Sequence, residues 1–307
     1  MKRNKSFCFL TNMSVFLKSR NIQISEEALG ILLEMYGLYY SSSETPYEQL
    51  HGRNCNMREL FDRFDRLMNG RMISYTFPDT MRVEEIQNLL EEYQAVVLWG
   101  DDYFDEASLN YMRYHVMRPI VVKGIRENEA DIFDMNRKTI SKTAFYQRIM
   151  GEKIELFALK KDYIFYLDEK RELKRGLRNT AKIFLNNEEK RGEKAFNQFI
   201  ADFMNEKEPE QMHRYYIQMN RNGGCANMRE YMAAFFYQYG KHIVNDDCLE
   251  FTKVCTECYE QWHRIGNLIF LLSQEINADL KQRIMKRLEL LKIRECEMFK
   301  KILESVN

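Results

Sequence analysis

Three side chains suited to thiol chemistry stand out: Cys8 in "SFCFLTNM", His115 in "YHVMRPIVVKGI" and Asp134 in "DIFDMN". If Ser6 caps a helix, Cys8 falls at its second residue. A helix start carries partial positive charge and unpaired backbone N–H groups, which stabilise a thiolate and lower the thiol pKa. The same N–H groups can line an oxyanion hole. A buried cysteine acting as a small hydrophobe fits the same position without any chemistry. A thiol nucleophile also needs a base within hydrogen-bond reach and a third group to orient that base. Among the five histidines, only His115 lies just before a strand whose predicted partner carries an acid, Asp134. A solvated loop histidine fits that spacing equally well.

The elements that must position these residues come from the apolar periodicity. Residues 8–19 read as a helix with Leu10, Met13 and Leu17 on its apolar face. Residues 25–38 read as a second helix, capped by Ser25 and ending near Gly37. Residues 56–70 and 81–93 read as two more, the first stopped by Asn69-Gly70. "AVVLWG" (95–100) and "PIVVKGI" (119–125) read as strands, and "DIFDMN" (131–136) completes a hairpin with the second. "IELFALKKDYIFYLD" (154–168) fits a strand or a buried helix. From about residue 170, helical patterns run over 172–187, 190–206, 210–219, 227–244, 247–272 and 276–304. The last of these can pack within the fold or across a homodimer. The expected fold class is α+β, with a mixed domain over residues 1–150 and an all-α domain over 151–307.

Composition narrows the function classes. Hydrophobic residues are 45 % and charged residues 30 % of the 307, the balance of a soluble globular protein. The 13 Gly and 4 Pro leave little for long linkers. A formal net charge of 0 gives no global basic field for nucleic acid or anionic lipid. No stretch approaches the roughly 20 apolar residues of a membrane span. The N-terminal apolar stretch is broken by Thr11, Asn12 and Ser14 and lacks a small-residue cleavage site, so it reads as mature, cytoplasmic protein. Seven scattered cysteines, an odd number, suit reduced thiols better than a disulfide framework.

Other motifs read blandly. Cys255 and Cys258 of "CTEC" lie one helical turn apart with only His263 nearby, too few ligands for tetrahedral zinc. "NGGC" (222–225) can contact an anion through its backbone but lacks the lysine and spacing of a phosphate loop, and reads as a helix start. "YMAAFFYQYG" (231–240) reads as a buried helix.

The order of the pieces resembles the family of butirosin biosynthesis protein H. Three regions carry the resemblance: residues 7–40, with Cys at a helix start and a second helix introduced by "ISEE"; residues 95–136, with a strand, an acidic and aromatic loop, a histidine-bearing segment, a strand with Gly124 and a strand ending in Asp134; and "NRNGGCANMREYMAAFFYQYGKHI" (220–243) followed by "QWHRIGNLI" (261–269). The resemblance implies a papain-like N-terminal domain with a small antiparallel sheet and a helical C-terminal domain. It implies an acyltransferase that moves an acyl group from an acyl carrier protein thioester to a small-molecule amine, forming an amide in specialised, antibiotic-type metabolism. Cys8 would be the nucleophile and Asp134 the orienting carboxylate. No cofactor or metal is implied, since phosphopantetheine enters only on the carrier-protein donor. The chain also departs from the family pattern. The second histidine of the family's "HxxH" pair, six residues before the Gly, is Arg118 here, and His115 matches the first. Phe7 stands where a histidine often precedes the cysteine, and "YYSSSETP" replaces a glycine-rich segment. Arginine stays protonated and cannot act as a general base. Arg118 would instead contact a Cys8 thiolate or the phosphopantetheine, and His115 would serve only if the segment bends at Pro119. The alternative function is a catalytically inactive pseudoenzyme that binds a metabolite or carrier protein.

Overall fold

Short β-branched runs and turn residues build the larger sheet of the protein, seen in a computed structural model that describes residues 7–44, 48–78, 83–106, 111–112, 117–149, 153–160, 163–186 and 188–306. The strands are β3 (Met72–Pro78), β4 (Val96–Asp101), β5 (Met117–Ile125), β6 (Glu129–Asp134), β7 (Asn136–Ser141) and β8 (Lys153–Leu159). Their spatial order is β3-β8-β4-β5-β6-β7, and every neighbouring pair is antiparallel. One face carries Val96, Leu98, Ile120, Val122, Ala130, Ile132, Leu156 and Ala158. It packs on Ile86, Leu90 and Tyr93 of α4 (Val83–Tyr93) and on Phe145 and Ile149 of α5 (Lys142–Ile149). By the two-residue period of strands, Val97, Pro119 and Val121 point to the opposite face, along which α1 (Cys8–Ser19) packs against β5. These elements form one compact unit, residues 7–26 and 64–166.

The other unit takes residues 27–63 and 167–307. It contains α2 (Glu26–Leu32) apart from its first residue, the two-stranded sheet of β1 (Tyr36–Tyr40) and β2 (Leu50–Arg53), and the first part of α3 (Met57–Leu67). It also contains α6 (Glu169–Leu185), α7 (Gly192–Asn205), α8 (Pro209–Asn220), α9 (Cys225–Ile243), α10 (Cys248–Gln274) and α11 (Ala278–Ser305). Its core holds an ion pair with no exposure: Arg229 of α9 donates from Nε and Nη2 to Glu295 of α11, at 2.7 and 2.6 Å. Trp262 Nε1 of α10 donates to the same carboxylate at 2.8 Å, and Arg229 Nη1 to Gly37 O at 2.9 Å and Gly52 O at 3.4 Å. This ion pair thus ties three helices to the small sheet.

The protein is therefore mixed α/β, with a small antiparallel sheet, a larger six-stranded sheet and many helices among the described residues. Two local expectations change. The helix predicted over 25–38 ends at Leu32, because Glu34 turns to φ +52° and the chain closes with Met35 N donating to Gly30 O. Gly37 then sits within β1 rather than at a helix end. Phe7, in extended backbone, is the N-cap of α1, so Cys8 is its first residue rather than its second; Ser6 lies outside the described residues. The segment 154–168 resolves as strand β8 over its first part.

Candidate functional site

Cys8 opens α1 and is half-buried. Cys248 is the other half-buried thiol; the remaining five are buried. Burial pushes the Cys55, Cys225 and Cys258 thiols up, and holds Cys255 and Cys296 up at about 12. Those five stay protonated at neutral pH and cannot act as thiolate nucleophiles.

Helix α1 is fixed to the strand ends by Asn12, one turn after Cys8 and so on the same helix face. Asn12 is fully buried. Its Nδ2 donates to Pro119 O at the start of β5, and its Oδ1 accepts from Met135 N, just past β6, at 3.1 Å. The amide therefore holds the Cys8 end of α1 beside the segments that carry Arg118 and Asp134. In the sequence Asn12 stands out only as one of the polar residues, with Thr11 and Ser14, that break the N-terminal apolar stretch, and nothing there marks its bonds to the strand ends.

Arg118 and Asp134 belong to a six-residue charge network. Arg118 Nη2 lies 2.7 Å from Asp102 Oδ1, 3.0 Å from Asp134 Oδ2 and 3.5 Å from Asp105 Oδ2. Arg148 of α5 reaches Asp134 Oδ2 at 2.8 Å and Asp105 Oδ2 at 3.3 Å. Lys138 Nζ lies 3.0 Å from Asp105 Oδ2. Strand register explains the meeting: Val122 pairs with Ile132, and by the two-residue period Arg118 and Ile120 share the face of Val122 while Asp134 shares that of Ile132, the face that looks toward α5. Three carboxylates whose oxygens lie within 4.8 Å of one another need positive charge nearby. Two guanidiniums and one ammonium supply it, leaving the cluster neutral.

The structure thus brings Arg118 and Asp134 together. Asp134 is 1 % exposed and accepts from guanidinium groups on Oδ2, while its Oδ1 meets no hydrogen-bond donor among the described residues. His115 lies outside the described residues. Asp102, Asp105, Lys138 and Arg148 were not singled out from sequence, since their meeting depends on strand register. A cavity of about 830 Å³ opens beside the network, bounded by Asp105, Lys138 and Arg148 and walled by Tyr103, Phe104 and Tyr111. Its size suits a small molecule.

The remaining motifs are structural. Cys255 and Cys258 are buried in α10, and Cys255 Sγ lies 3.5 Å from Met298 Sδ. Gly224 caps α9, and a Cβ there would stand 2.4 Å from Gln218 O, so "NGGC" is a close-packed helix start. Compared with known proteins, the chain matches no family model and no curated protein sequence. Among the described residues no helix is long and apolar enough to cross a membrane.

Proposed function

We propose that the protein is a papain-like, cysteine-dependent acyltransferase that forms an amide from a carrier-protein thioester and an amine. The observation that carries the reading is Cys8: a half-buried thiol at the first residue of a helix, in a chain whose other thiols, Cys248 apart, are buried. The Cys8 thiolate attacks the thioester carbonyl, and the phosphopantetheine thiolate leaves and takes up a proton. The acceptor amine then attacks the acyl-Cys8 carbonyl. The C–S bond breaks, the amine gives up a proton, and Cys8 returns as thiol. Exchange of one thioester for another is nearly neutral in energy, so the covalent step costs little. His115 is the base in this reading and Asp134 its orienter, in a cytoplasmic enzyme of specialised metabolism. The donor brings the phosphopantetheine, so no resident cofactor is required.

A second reading has its own observation. The Asp134 carboxylate is engaged by Arg118 and Arg148. A carboxylate held by two guanidiniums is a weaker partner for an imidazolium, because its charge is already compensated. This favours a non-catalytic relative that binds a metabolite in the cavity beside the network.

Intact-protein mass after mixing with a panel of acyl-pantetheine thioesters separates the two, with Cys8→Ala alongside. The acyltransferase gains the mass of one acyl group, loses it on adding an amine, and gains nothing as Cys8→Ala. No adduct across the panel, together with a Cys8 that resists iodoacetamide, leaves the binding protein.

A further inference from the structure

Helix α6 divides its residues sharply. Leu173, Gly176, Leu177, Thr180, Ala181 and Phe184 are buried. Opposite them, Arg171, Lys174, Arg175, Arg178 and Lys182 recur at three- and four-residue spacing. At ~100° per residue these five cations fall within an arc of about 100°, in a stripe about 17 Å long. Six basic and two acidic residues give α6 a net charge of +4, on a chain whose formal net charge is 0. Both acids, Glu169 and Glu172, stand in the first turn, so no acid follows Leu173 in the helix.

Little of this charge is consumed within the unit. Arg175 pairs with Glu172 yet stays 59 % exposed, and Arg178 donates to Val306 O at 2.7 Å. Among the described residues Arg171, Lys174 and Lys182 pair with no carboxylate side chain. Helix α11 differs in sign pattern: Asp279, Glu289, Glu295, Glu297 and Glu304 alternate with its cations, and Lys292 pairs with Glu289, Arg294 with Glu257 and Lys301 with Glu250. A surface shaped only for solubility would mix both signs in that way along α6 as well.

We infer that the α6 stripe docks an acidic protein surface and, resting on the acyl-transfer reading above, that its partner is the carrier protein delivering the thioester. A band of cations three turns long complements a negatively charged protein surface laid against it. Such complementarity speeds encounter and fixes orientation. A membrane partner is disfavoured because an interfacial helix must offer its apolar face, and that of α6 is buried. Nucleic acid is disfavoured because the stripe carries no aromatic residue for base stacking and the chain as a whole is neutral.

The test is direct binding, which needs no turnover. Acyl carrier proteins of the source organism, each loaded with acetyl-phosphopantetheine, are titrated by biolayer interferometry. The targets are the wild type, Arg171→Glu/Lys174→Glu/Lys182→Glu and the matching triple Gln variant, each checked for an unchanged melting temperature. One carrier protein binds the wild type, weakens steeply as salt is raised, and binds the Glu variant about tenfold or more weaker, with a smaller loss for the Gln variant. A carrier variant with its facing acids changed to Lys recovers affinity for the Glu variant. Equal binding by wild type and both variants overturns the docking surface. So does binding by no carrier protein, or binding only to phosphatidylserine vesicles or duplex DNA. Failure of the whole panel of acyl-pantetheine thioesters to label wild-type Cys8, with a thiol that also resists iodoacetamide, instead removes the acyl-transfer reading, and the binding data still decide the stripe.

Discussion

Glu295 accepts from Arg229 and Trp262 where water does not reach. Burial alone would lower the Arg229 pKa, but the adjacent carboxylate outweighs it and raises it above the ordinary arginine value, so Arg229 is held as a cation. Glu295→Gln leaves a buried cation without its counter-charge and should cost about 3 kcal/mol in urea unfolding. Arg229→Met/Glu295→Leu removes both charges and should recover much of that loss; a double variant worse than the single one would refute the assignment. His51 shows the same logic with a titratable group. Arg221 only donates, so His51 Nδ1 accepts from it at 3.1 Å, and Nε2 carries the proton that Glu48 Oε2 accepts at 3.1 Å. Burial, reinforced by Arg53, lowers the His51 pKa from 6.5 to about 4. On acidification the unfolded chain takes up this proton near 6.5, while the folded chain resists until about 4. Stability must therefore fall as pH drops through that window, by about 2 kcal/mol between roughly pH 7.5 and pH 5. Chemical unfolding at the two pH values measures the difference, and His51→Gln should remove it. A wild type as stable at the lower pH would show that His51 is not held neutral.

The chain between α6 and α7 turns on Gly192. Its φ of +55° suits glycine, and a Cβ there would stand 2.0 Å from Phe184 O. Backbone cannot move aside as a flexible side chain can. Gly192→Ala should therefore lose about 2–3 kcal/mol, read from a shifted urea midpoint at unchanged slope; a shift under about 0.5 kcal/mol would mean that the turn relaxes freely. This turn was not legible in the sequence, but the helices on either side were. Apolar residues at three- and four-residue spacing placed α6 to α11 within a few residues, and Asn69-Gly70 marked the end of α3, where Asn69 (φ +54°) and Gly70 (φ +63°) both adopt left-handed backbone. Strands β1 and β7 were hidden for different reasons. "YGLYY" continues the apolar run of α2 without a break in pattern, and "NRKTIS" is a polar edge strand with little alternation. The candidate site was legible only in part. Cys8 and Asp134 can be picked from local context, whereas Asn12 meets its partners 107 and 123 residues away, and only the assembled sheet brings them together.

At the scale of the whole molecule, the chain order and the spatial order part company. The sequence reading sets a mixed domain over 1–150 before a helical one over 151–307, with continuous helical patterns from about residue 170. Yet β8, at residues 153–159, is inserted between β3 and β4, and β3 has no other strand partner in the sheet among the described residues. A fragment ending at 150 lacks the strand that joins β3 to the rest. The complementary loss falls on the helical unit. Residues 27–63 belong with 167–307, and the small sheet they form accepts two hydrogen bonds from Arg229 through Gly37 O and Gly52 O. The contact is also steric, since a Cβ on Gly52 would come within 2.6 Å of Gly224 O at the start of α9. Without β1 and β2, a fragment 151–307 would leave Arg229 donors unmet and a packed helix start uncovered, each a cost of about 1–3 kcal/mol or more against a total stability near 10 kcal/mol. Neither 1–150 nor 151–307 should fold alone. Each should give a poorly dispersed amide NMR spectrum and no cooperative melt, while the full chain gives both. A cooperative melt from 151–307 by itself would mean that the small sheet is dispensable and that the helices carry their own core.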